Sequence, residues 1–140
     1  MKPRISVLTL GVDDLEKSVA FYRDGLGLQT EGIIGQEFEH GAVAFFDLQS
    51  GVKLALWKRA DIAHDTGLNV TPKSPTEFTI GHNLGSKEEV DSVLEQAEKA
   101  GATITVRGHE TFWGGYSGYF QDPDGHLWEV VWNPAWEITE

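Results

Sequence analysis

The sequence has no cysteine and a single methionine in 140 residues. Without cysteine there are no disulfide staples, thiol nucleophiles, Cys-ligated zinc sites or iron–sulfur clusters. Positive charge is also scarce: 11 Lys and Arg stand against 22 Asp and Glu, a formal net charge of −11. Such a field repels nucleic-acid backbones, so no nucleic-acid partner is expected, and it draws cationic small molecules inward. Long hydrophobic runs are missing too. The apolar stretch Ile5 to Val12 is broken by Ser6, Thr9 and Gly11 and is far shorter than the ~20 residues of a membrane span. Neither a signal peptide nor a membrane association is expected, and the cytoplasm is the default location.

What remains is an ordinary globular composition, with 40% hydrophobic and 24% charged residues. Ile5 to Val12 alternates in the manner of a strand, with Leu8, Leu10 and Val12 on one face. Asp13, followed three positions later by Glu16, has the spacing of a helix cap. Leu15, Val19 and Tyr22 then form a helical stripe that should close near Gly25-Leu26-Gly27. Strands are expected over Leu28 to Ile34, Gly41 to Leu48 and Val52 to Trp57. The pattern then restarts. Phe78 to Leu84 alternates, and Ser86 with Glu89 forms a capping box. Val90, Val93, Leu94, Ala97 and Ala100 form an apolar stripe that Gly101 closes. Thr103 to Val106, Gly118 to Gln121 and Leu127 to Trp132 read as strands, with Asp124-Gly125 as a hairpin turn.

The chain is therefore a repeat of strand–helix–strand–strand–strand. Phe45-Phe46 followed by Gly51 parallels Tyr119-Phe120 followed by Gly125. The expected fold class is α+β: two tandem βαβββ modules forming a curved eight-stranded mixed sheet of half-barrels, with the helices outside. Residues 1–59 form the first module, 60–75 a polar linker and 76–140 the second, all within one 1–140 domain.

Two segments carry a family resemblance. Val12-Asp13-Asp14-Leu15-Glu16-Lys17-Ser18-Val19-Ala20-Phe21-Tyr22 with Gly25-Leu26-Gly27-Leu28, and Asp122-Pro123-Asp124-Gly125-His126-Leu127-Trp128-Glu129, resemble the vicinal oxygen chelate superfamily. That superfamily includes glyoxalase I, extradiol dioxygenases, and bleomycin and fosfomycin resistance proteins. The resemblance implies a divalent-metal site on the concave face, with Glu129 at the final ligand position. It also places the other ligand positions on Val7, on Thr79 (or Gly81 with a register slip of two) and on Ala55. Val7, Ala55 and Gly81 cannot ligate, and Thr79 is a poor ligand. One carboxylate does not make a transition-metal site, which needs about three protein ligands. No metal is therefore expected, with Glu129 the only ligand if one is present.

Strand parity gives the candidate ligand-binding set. Glu129 faces the cavity, while Trp128, Val130 and Trp132 pack under the helices. Trp57, Thr79 and Asn83 share the cavity parity. His82 has the opposite parity and reads as structural rather than as a ligand or base. The glycine-rich aromatic segment Thr111 to Tyr119 offers Trp113, Tyr116 and Tyr119, either as walls of a cavity or as a hairpin covering a barrel end.

Two classes of function follow. The first is a small-molecule-binding protein of the bleomycin-resistance type, a homodimer with no cofactor that sequesters an aromatic or cationic molecule. The alternative is an enzyme. It would be either a glyoxalase-like lyase or extradiol-type dioxygenase with Zn, Ni, Fe or Mn, or a metal-free enzyme with Glu129 as general base.

Overall fold

In a computed structural model, which describes residues 1–139, the chain forms two compact units, Met1–Pro72 and a second beginning at Lys73. Each is a βαβββ module. The first has β1 (Val7–Val12), α1 (Leu15–Ala20), β2 (Thr30–Ile34), β3 (Val43–Asp47) and β4 (Lys53–Lys58), followed by a further helix, α2 (Arg59–Thr66). The second has β5 (Ile80–Leu84), α3 (Lys87–Ala100), β6 (Thr103–Glu110), β7 (Tyr116–Gln121) and β8 (Leu127–Trp132). The eight strands divide four and four, in the orders β1-β4-β3-β2 and β5-β8-β7-β6. In each sheet the first strand pairs parallel to the last, and the remaining pairs are antiparallel. No helix among the described residues is long and apolar enough to cross a membrane.

The helix caps follow local chemistry. Asp14 rather than Asp13 is the N-cap of α1, its carboxylate accepting the Lys17 N–H at 3.1 Å. The helix then widens into a π-turn over Phe21–Gly25. At α3, Ser86 Oγ accepts the Glu89 N–H at 3.2 Å, and the Glu89 carboxylate accepts the Gly85 N–H at 2.9 Å. Gly101 ends that helix at φ 109°, a conformation that favours glycine.

The polar segment 60–75, expected as a linker, contains most of α2. Helical periodicity did not reveal it, because the only residue it buries is Asp61. What anchors it is polar. Arg59 reaches Asp13 at 3.6 Å and donates to the Thr71 carbonyl.

Each sheet has a face covered by α1 or α3 and an opposite, free face, which in the first unit is met at Gly11 by α2. In the first unit the Tyr22 and Phe46 rings meet at 6.0 Å, which puts Phe46 and its rung partner Leu54 on the α1 side. Leu10, Leu56 and Ala44 share that face and are fully buried. In the second unit a Cβ on Gly118 would lie 2.6 Å from Leu94 Cδ1 of α3. Its rung partner Val130 therefore faces α3, as do Phe120 and Trp128, whose rings stack at 5.9 Å. Each core is this helix–sheet layer, and alternation sends the intervening residues to the free face.

Candidate functional site

Glu129 lies at the middle of the free face of the second sheet. Its rung neighbours are Gly81 on β5 and Tyr119 on β7. Directly opposed residues of an antiparallel pair point to the same side. The Tyr119 phenol meets the Glu129 carboxylate and donates a short hydrogen bond to Oε2. That bond, with partial desolvation, pushes the Tyr119 pKa up to about 12. Tyr119 is thus a neutral donor at any physiological pH. Glu129 is half-buried and has no ion pair with Lys or Arg among the described residues.

Asn83 joins this face one rung along, paired with Val131. A Cβ on Gly81 would lie 3.8 Å from Asn83 Oδ1, so the amide leans over the glycine beside Glu129. Thr79 precedes β5 and is exposed, so Gly81, two residues on, takes the place beside the carboxylate. His82 pairs with Val130 and points to the α3 side. It keeps an exposed edge, yet packing around its ring lowers its pKa by desolvation.

The aromatic segment divides. Tyr116 and Tyr119, both offered as walls of a cavity, lie three positions apart on β7, and an odd spacing puts them on opposite faces. The Tyr116 hydroxyl instead donates to Asp91 of α3 at 2.8 Å, and Lys87 lies 6.0 Å above the ring. Trp113 folds back on the backbone of Gly115 in a tight loop, where Thr111 Oγ1 accepts the Gly115 N–H at 2.8 Å. Gly115 is four residues from Tyr119, roughly 13 Å along a strand, so Trp113 sits at the rim of this sheet rather than against Glu129.

In the first unit Trp57 lies on the free face, on the same rung as Gly11 and Val43. Its indole N–H donates to the His40 carbonyl at 3.0 Å. Sequence reasoning missed the group around it. His40 Nδ1 meets Asp61 Oδ1 at 2.7 Å, and the His40 and His64 rings stack at 3.9 Å. His40 and Asp61 are 21 residues apart, so no local motif announces the pair. The one available signal was an acidic residue in a helical segment with no apolar stripe.

Comparison with known proteins places this architecture. Residues 4–130 match the Glyoxalase/Bleomycin resistance protein/Dioxygenase superfamily. The chain belongs to this superfamily. It is 30% identical over 130 residues to the glutathione transferase FosA of Serratia marcescens, covering 93% of this chain and 81% of that one. A glyoxalase-related enzyme from Fulvimarina pelagi superposes with a TM-score of 0.84 at 33% identity, over 98% of this chain and 93% of that chain. The fosfomycin resistance protein FosX of Listeria monocytogenes shares the fold, with a TM-score of 0.70 and 24% identity over 96% and 97% of the two chains.

A divalent metal on the superfamily's pattern would need donors around Glu129. Here the flanking strands supply a glycine and a tyrosine whose proton is already directed at the carboxylate. Among the described residues no three His, Asp or Glu side chains are grouped to hold a metal ion. This donor set does not fit that kind of centre.

Proposed function

We propose that this chain binds a small organic molecule through Glu129 without the superfamily's metal centre, and that the ligand presents a cationic or hydrogen-bond-donating group to the carboxylate. The supporting observation is the state of Glu129: half-buried, fixed by the Tyr119 phenol and without a basic partner. A carboxylate so placed lacks a counter-charge, and a ligand donor supplies one. Asn83 adds a second polar group on the same face. The net charge of −11 favours approach of a cation. The assembly we propose is a homodimer, which light scattering checks directly.

A metal-free enzyme is the second reading, and the same pair of side chains favours it. With its pKa near 12, Tyr119 cannot act as a base at neutral pH. A proton taken from substrate would go to Glu129, whose orientation the phenol fixes.

The test pairs elemental analysis of native protein with native mass spectrometry for retained molecules, then titrates benzyltrimethylammonium by calorimetry. Saturable binding that Glu129→Gln abolishes, in protein carrying no stoichiometric metal, supports the reading. About one Zn, Ni, Fe or Mn per chain, lost in Glu129→Gln, overturns it.

A further inference from the structure

We propose that His40 is a positioning residue for Trp57, its ring held by Asp61 so that its backbone carbonyl fixes the indole on the free face of the first sheet. It goes beyond the reading above and does not depend on it. The positioning itself is a property of the first unit.

Three observations carry it. The first is α2. A helix on a protein surface ordinarily buries an apolar stripe, but the residue α2 buries is Asp61, 8% exposed. A buried carboxylate needs a donor, and the one it meets is His40 Nδ1 at 2.7 Å. An ionised carboxylate only accepts, so the pairing places a proton on Nδ1.

The second is the backbone. His40 has φ 60°, in the left-handed region that non-glycine residues rarely occupy. It sits in the β2–β3 connection, whose neck is the close approach of Gly35 and Gly41. A Cβ on Gly41 would lie 2.6 Å from the Gly35 carbonyl oxygen. A conformation of this kind persists where surrounding contacts over-determine it. Here the ring is held on two sides, by Asp61 and by the His64 stack with its planes 19° apart.

The third is what that backbone delivers. The His40 carbonyl accepts the Trp57 indole N–H at 3.0 Å. The position where a Cβ of Gly11 would project, on the Trp57 rung, is filled by Arg59 and Ile62 of α2. One residue thus links helix, loop and indole. The same peptide group is tied within the loop by the Gly41 N–H, which donates to the Phe38 carbonyl at 3.1 Å, and the ring adds the tether to α2.

The test exploits two residues that tolerate positive φ. Glycine at position 40 keeps the carbonyl and removes the ring. Asparagine keeps a side-chain N–H at the place of Nδ1. Protein labelled with 5-fluorotryptophan gives a fluorine resonance for each of five tryptophans, and Trp57→Phe assigns that of Trp57. In His40→Gly the Trp57 resonance should shift or broaden beyond its linewidth while circular dichroism stays native. In His40→Asn it should return to the wild-type position. Asp61→Ala, which removes the acceptor, should reproduce the His40→Gly spectrum. An unchanged Trp57 resonance in folded His40→Gly overturns the proposal, as does a disturbance in His40→Asn equal to that in His40→Gly.

Discussion

Thr9, Ala55 and Phe45 lie side by side across β1, β4 and β3 of the first unit, and Gly81, Glu129 and Tyr119 occupy the same rungs of β5, β8 and β7 in the second. The helix faces beneath these rungs stayed alike: Phe46 matches Phe120, Leu56 matches Val130, and Ala44 matches Gly118, each pair on the side covered by its own helix. The free faces did not. One rung is uncharged and ends in a phenylalanine; the other holds a carboxylate and the phenol that donates to it. Packing constrains the helix face, because every atom there touches others. The free face can vary, and on these matching rungs it is the second module that carries the carboxylate and the phenol.

The largest effect should come from making the first rung imitate the second. Ala55 is 2% exposed, and its neighbours Thr9 and Phe45 offer no cation. Ala55→Glu would bury an uncompensated carboxylate, costing about 3–5 kcal/mol. The expected result is a much lower urea midpoint than wild type, with partial recovery at acid pH as the carboxyl takes a proton. A variant as stable as wild type would show that the first free face tolerates charge, and the contrast between the modules would lose its physical basis.

The shared helix face gives the next effect. Gly118 corresponds to Ala44, but the second module leaves no room for a methyl: beside Leu94 Cδ1, a Cβ would sit 2.7 Å from the Val106 carbonyl oxygen. Gly118→Ala should therefore cost about 1–3 kcal/mol, read as a lower denaturation midpoint at unchanged slope. A neutral result would mean that β6 and α3 give way more easily than their packing indicates.

Much of this frame is legible in local pattern. Ser86 with Glu89, Gly101, and the Asp122–Gly125 turn are short-range chemistry, and each is made by contacts a few residues apart. Strand alternation alone separates Glu129 from Trp128 and Val130. Applied to the aromatic segment, the same rule separates Tyr119 from Tyr116, which sequence reading grouped together because both belong to one glycine-rich run. Helix α2 is illegible for a different reason: it is held by Asp61, Arg59 and their distant partners rather than by an apolar stripe, and periodicity detects only the latter. The His40–Asp61 pair exists only once the chain has folded.

A smaller effect should be confined to ligand binding. Glu129→Gln keeps the volume and can still accept from Tyr119, so stability should change by less than about 1.5 kcal/mol. The charge is lost, and benzyltrimethylammonium should bind at least about tenfold more weakly, or ~1.4 kcal/mol. Thr9→Val, on the equivalent rung of the first unit, should leave affinity unchanged. Equal losses in both variants would spread the site over the two faces and remove the distinction drawn between them.

The smallest expected signal is spectroscopic, and it tests the carboxylate–phenol pair without any ligand. Tyr119 titrates near 12 because ionising it would break its hydrogen bond to Glu129 and bring two negative charges together. A folded-state pKa raised above the unfolded value near 10 gives stability that is fully present below pH 10. That stability is lost as pH rises through about 12. Absorbance at the tyrosinate band should therefore show Tyr119 ionising late in wild-type protein, with Tyr119→Phe removing that step and so assigning it. In Glu129→Gln the neutral amide accepts a weaker hydrogen bond and adds no like charge, so the step should move down toward the ordinary tyrosine range. Tyr116, raised by its own bond to Asp91 on the other face, should not move with it and serves as the internal control. If Glu129→Gln left the late step in place, desolvation alone would be holding the phenol, and the second rung would be as passive as the first.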